Sequence, residues 1–153
     1  MNMKKDFDGW NAKKKSIHER DTARVYFYER EIWWCSLGAN VGFEQDGTDE
    51  AFERPILIIK KYNPQIFLVV PLSTTSKRGR YYAPLGLVDG KDAVAILSQL
   101  RLLDCKRLTN RIGILKASVF GPLVENIIKS KLPRHKKFSP TFRRGQAVRP
   151  FVS

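Results

Sequence analysis

Histidine and cysteine are scarce in this chain, two of each in 153 residues, and their placement excludes much familiar chemistry. His18 falls in a polar opening segment and His135 in a basic closing one. The centre of the chain therefore holds no histidine for two-histidine acid–base catalysis. Cys35 and Cys105 are far apart and share no metal-ligand spacing with either histidine. They are expected to be ordinary small apolar residues of a reducing compartment. Neither an H-E-x-x-H pattern nor a carboxylate cluster suited to two metals occurs, so no metal and no small-molecule cofactor is expected. No run approaches 18 apolar residues, and the opening MNMKKDFDGW has no apolar h-region. A cytoplasmic protein without a membrane partner is expected.

Acidic residues are also few: 15 against 28 Lys and Arg, for a net charge of +13. Such an excess points to a polyanionic partner. Residues 1–24 carry +3, residues 25–132 carry +4, and residues 133–153, with six basic residues and no acid, carry +6. The charge supports a nucleic-acid partner without locating a site, and the basic tail alone reads equally as a solubilising segment.

What is present, at 42% hydrophobic, is enough for one core. Phe7, Trp10, Lys14 and Ile17 predict an amphipathic helix in an N-terminal extension, residues 1–24. From Arg30 the pattern turns to strands: Glu31–Leu37, Pro55–Ile59, Ile66–Val70, Tyr81–Val88, Ala93–Leu97, Leu100–Leu103 and Arg111–Leu115. The stretch Gly38–Glu53 reads as a long mobile acidic loop. Asn63-Pro64 predicts a turn that pairs its flanking strands antiparallel. A helix is expected from about Pro122 to Leu132, with Pro122 in its first turn, Val124, Ile127, Ile128 and Leu132 as its apolar stripe, and Pro133 as its stop. Residues 133–153 have the composition of a disordered tail. The central 25–132 reads as a mainly β domain, a small bent barrel with flanking helices.

The blocks EIWWCSLGANVGFEQ, ERPILII, IFLVVPLSTTSK and AILSQLRLLDCKRL occur in an order that resembles MazF/PemK toxins, over roughly residues 30–131. The resemblance implies an SH3-like barrel, a homodimer, metal-independent cleavage of single-stranded RNA at a short motif, and neutralisation by a cognate antitoxin. By this likeness Arg54 matches the family's catalytic arginine before the proline, and Ser73 falls where threonine usually ends the third strand. Glu44 and Gln45 match the pair lining the RNA groove, and Gln99 and Arg101 match a later supporting block. Ser98 replaces a common aspartate, Phe43 stands where some members have histidine, and the Glu44–Arg54 loop is longer than usual. These departures bear on substrate choice more than on fold.

RNA cleavage by its own 2′-hydroxyl needs a base, an acid and stabilisation of the phosphorane. Arg54 offers a permanently charged fork of donors that matches phosphate oxygens. Ser73 or Thr74 can donate a further hydrogen bond, and Glu44 or Glu31 is left as the base by default. Gln45, Thr74, Thr75, Lys77, Arg78, Arg80 and Gln99 complete the expected RNA-binding set. Plainer roles exist for each: Arg54 paired with an acid, Ser73–Thr75 as a polar turn, and Lys77–Arg80 as a solvated loop. Trp33 is expected inside, and Trp34 in a groove, at a dimer surface or under the N-terminal helix. The competing reading is a non-catalytic barrel that binds RNA or a partner protein.

Overall fold

The computed structural model describes residues 4–21 and 25–131. Helix α1, Phe7–His18, is opened by Asp6, whose carboxylate accepts from Gly9 N at 2.8 Å. It buries Trp10 and Ile17. Seven strands follow: β1 Glu31–Ser36, β2 Glu53–Lys61, β3 Ile66–Ser73, β4 Tyr82–Val88, β5 Lys91–Ile96, β6 Arg101–Asp104 and β7 Leu108–Ile114. Helix α2, Ala117–Lys131, closes the described chain. The strands form one curled antiparallel sheet in the order β4-β5-β3-β2-β1-β7, with β6 beside β5 on the free edge of β3. This is the mainly β, barrel-like fold with two flanking helices expected from the sequence.

The curl follows from strands that are apolar on both faces. Period two sends Ile56 and Ile58 of β2 to one core and Leu57 and Ile59 to another. Strand β3 repeats the division, with Phe67 and Val69 on one side and Val70 and Leu72 on the other. One core is covered by Leu123 and Ile127 of α2, and the other holds Phe27, Cys35, Leu37 and Leu103. Each such fully buried side chain stabilises the fold by roughly 1.5–3 kcal/mol.

The turns do what their residues predict. Asn63 accepts from Gln65 N and Ile66 N through Oδ1, at 2.8 and 2.7 Å, and sets the β2–β3 hairpin. Asp89 and Gly90, both at positive φ (49° and 72°), make the two-residue β4–β5 turn.

Three expectations change. Pro55 is the third residue of β2 rather than its first, because Glu53 and Arg54 already pair with Ser36 and Cys35 of β1. Helix α2 begins before Pro122, at the turn where Val119 N and Phe120 N donate to Lys116 O. Pro122 then lies inside the helix but on its exposed face, where the lost donor is least harmful. The buried stripe is Leu123 and Ile127, with Val124 packed beside it, while Ile128 is exposed. The helix end expected at Leu132–Pro133 and the 133–153 tail lie outside the described residues.

Candidate active site

Arg54 enters β2 opposite Cys35 of β1, and its side chain is half-buried. Its Nε donates to the main-chain oxygen of Asp46 at 2.6 Å, and Nη1 donates to that of Leu72 at 3.1 Å. The guanidinium thereby ties the loop before β2 to the end of β3. Burial pushes its pKa below the ordinary arginine value, an effect that the negative charge of Asp46 opposes. The group stays charged at any workable pH.

The two strand ends open onto a cavity of about 270 Å³ whose lining includes Trp34, Asp49, Arg54, Ser73, Thr74 and Lys91. Thr48, Val88, Asp89 and Ile112 also contribute to its wall. Ser73 is fixed by a local turn: its Oγ lies 2.9 Å from Thr75 Oγ1 and accepts from Thr75 N at 3.3 Å. An arginine, three hydroxyls, a lysine and two carboxylates around one concavity can hold a phosphate group and exchange protons with it.

The structure thus brings Arg54, Ser73 and Thr74 together and leaves Glu44 elsewhere. Glu44 is not among the lining residues of this cavity; its carboxylate accepts from Val41 N at 3.3 Å, in a region facing α1. Glu31 is buried, where it accepts from Tyr28 N, Trp33 Nε1 and Arg111 Nε at 2.8–3.0 Å. That full set of donors makes it a structural anchor. Gln99 works on the loop: its Oε1 accepts from Gln45 N at 3.1 Å and its Nε2 donates to Phe43 O at 3.2 Å. Gln45 is half-buried in the same contact. Lys77 and Arg80 lie over the rings of Tyr82 and Tyr81, and Arg78 is exposed on the same loop. Asp89 and Lys91 were not foreseen at the site; only the Asp89-Gly90 turn signal marked that corner of the wall.

The acidic loop that the sequence reads as mobile is fastened at several points. Asp46 pairs with Lys5 at 2.8 Å and Glu53 with Lys13 at 3.7 Å, and Gly38, Gly47 and Phe52 are linked through their main chains. Arg107 lies over the Trp10 ring at 5.5 Å and donates to Ser36 O at 3.0 Å. Burial lowers its pKa, offset by Cys35. The Cys35 thiol is pushed up to about 12, by burial first, against the pull of Arg107 and Arg101. It is a core residue rather than a nucleophile. Among the described residues no group of three His, Cys, Asp or Glu is placed to hold a metal ion.

Residues 28–130 match the family model described as the PemK-like, MazF-like toxin of type II toxin–antitoxin systems. No curated protein matches the sequence. Among solved structures, MazF from Deinococcus radiodurans is 19% identical, with a TM-score of 0.59 over 69% of this chain and 96% of that one. The Mycobacterium tuberculosis toxin MazF-mt6 is 21% identical, with a TM-score of 0.51 over 65% and 94%. A mycobacterial endoribonuclease solved with its cognate antitoxin is 13% identical, with a TM-score of 0.50 over 71% and 100%. These likenesses show a shared fold.

Proposed function

Since the chain belongs to the PemK-like, MazF-like family of type II toxin–antitoxin toxins, we propose that it is an endoribonuclease that cuts single-stranded RNA at a short motif. The 2′-oxygen attacks the adjacent phosphorus, the P–O5′ bond breaks, and a 2′,3′-cyclic phosphate and a 5′-hydroxyl result. A base takes the 2′-hydroxyl proton and an acid returns one to the leaving oxygen. Arg54 and the hydroxyl of Ser73 or Thr74 hold the phosphate oxygens as charge builds. Asp49, on the Arg54 loop and on the cavity wall, is the base in this reading, in place of Glu44. The base, the hydroxyls and the guanidinium come from the protein itself, so cleavage proceeds without a metal. Lys77, Arg78 and Arg80, on the loop after Ser73, carry the flanking backbone, while Gln45 and Gln99 shape the entrance.

The observation that carries this reading is the meeting of Arg54 and Ser73 in one cavity, with Arg54 bonded to the carbonyl just before Ser73. As partners we propose a second copy of the chain and a cognate antitoxin, as in the mycobacterial complex. A cytoplasmic setting accords with this; among the described residues no helix is long and apolar enough to cross a membrane. Incubation with a mixed-sequence RNA, with sequencing of the new termini, tests the proposal. Recurrent cuts ending in cyclic phosphate are expected. RNA that is bound but left whole would instead assign a non-catalytic RNA-binding barrel.

A further inference from the structure

Helix α1 lies outside the 28–130 region that carries the family pattern, and besides its contacts with Lys106 and Arg107 it and the residues before it fasten the loop joining β1 to β2. Just before the helix, Lys5 Nζ donates to the carbonyls of Asn40 and Gly42, at 2.6 and 2.8 Å, and pairs with Asp46 Oδ2 at 2.8 Å. Lys13 Nζ donates to Ala51 O and pairs with Glu53. Trp10 packs against Phe52 with ring centroids 5.7 Å apart. Its indole also fills the space beside Gly38 (φ 89°), where an added Cβ would come within 2.1 Å of the ring. The beginning, middle and end of the loop are therefore each fastened to one short segment. Asp46 is the link inward: its carboxylate meets Lys5 and Asn40 N, and its carbonyl receives Arg54 Nε at 2.6 Å.

We propose that α1 and the residues just before it form a strut for the cavity, in which Lys5, Trp10 and Lys13 hold the loop so that the Asp46 carbonyl fixes Arg54. They are positioning residues, and the proposal rests on reading Arg54 as the phosphate-holding group. Displacing such a group by about 1 Å lowers turnover on the order of 100-fold. A guanidinium released from Asp46 keeps its charge and loses only its aim. The defect should therefore fall on kcat and spare KM.

The test uses the full chain with Lys5→Met and Lys13→Met together, and Lys5→Met alone if the pair does not fold. Nitrogen-resolved NMR of the Arg54 Nε–H reports its hydrogen bond directly, and amide exchange reports the loop. The variant should lose the slowly exchanging Arg54 Nε–H signal. Its Gly47 and Phe52 amides should exchange about ten-fold faster or more, while those paired between β2 and β3 stay unchanged. On RNA, kcat should drop by about ten-fold or more with KM nearly constant, and Lys5→Arg with Lys13→Arg should restore both readouts. An unchanged Arg54 Nε–H signal overturns the strut, as does a loosened loop with kcat intact. If the unmodified chain cuts no RNA, the catalytic reading falls by itself and the Nε–H signal still decides the strut.

Discussion

Arg54 Nη1 donates to the carbonyl of Leu72 at 3.1 Å, so the guanidinium is anchored beside Ser73 through the main chain of Ser73's own strand. Its Nε bond to Asp46 fixes the other side. A side chain held at two points is already in place when a phosphate arrives.

Arg54→Ala should lower the cleavage rate by roughly two to three orders of magnitude, the usual loss of a transition-state donor. The two main-chain bonds also make the residue structural. Charged hydrogen bonds of this kind contribute about 1.5–3 kcal/mol, so the variant should lose about 2 kcal/mol in urea unfolding. Arg54→Lys cannot reach both carbonyls with a planar fork and should recover little of the rate. Wild-type cutting by either variant removes the assignment.

Asp49→Asn should reduce kcat by about 100-fold or more, within the range for loss of a general base. Glu44→Gln, outside the cavity, should change it little. The comparison is made on one defined RNA substrate, and the opposite ranking would return the base to Glu44.

Cleavage should persist in a chelator, and a substrate with 2′-deoxyribose at the cut position should stay whole. Loss of activity in EDTA that a divalent ion restores would bring a metal into the reaction. Cutting of the deoxy substrate would replace internal attack by attack of water.

Cys35 gives stability a pH dependence with a definite sign. Its folded pKa is raised to about 12 from an ordinary 9.0. Below about pH 9 both states keep the proton and the thiol adds no slope. Between about 9 and 12 only the unfolded chain releases it, so the unfolded state binds fewer protons and stability falls as pH rises. One such group contributes about 1.4 kcal/mol per pH unit in that window. Urea titrations at pH 8, 9.5 and 10.5 should show this extra slope in the wild type and not in Cys35→Ala. Equal slopes would mean that the thiol ionises in place.

A chain ending at Leu132 lacks the six basic residues of 134–149 and should bind RNA with a shallower dependence on salt, since fewer counterions are released. Its cleavage motif and maximal rate should match the full chain. An unchanged salt slope marks the tail as a solubilising segment only.

The hairpins were legible because their signals are local. Alternation in Ile56–Ile59, the Asn63 turn and Asp89-Gly90 each concern a few neighbouring residues. Arg54 and Ser73 were singled out by the family resemblance, since strand position alone reads as an ordinary strand-entry arginine and a polar turn. The rest depended on contacts distant in sequence. The acidic β1–β2 loop read as mobile, yet Asp46 and Glu53 are held by Lys5 and Lys13. Spacing along the chain carries no trace of such pairs. Asp49 shares a cavity with Asp89 and Lys91 of the β4–β5 turn only through the tertiary fold. Pro122 misled because a helix start was inferred from the proline itself, whereas the nucleating turn at Lys116 lies upstream.

The pairing of Glu31 with Ile114 joins β1 to the last strand of the sheet, and this sets an order of events during synthesis. The cavity wall reaches from Trp34 to Ile112, so a ribosome must release nearly the whole barrel before the site can exist. At about 5–20 residues per second, the nascent chain passes several seconds with β2 and β3 already available for pairing and the wall still incomplete. Sheets closed by such distant partners also fold slowly, in milliseconds to seconds. Under the proposed function, a nascent copy gains its cutting site only after residues through Ile112 have left the ribosome.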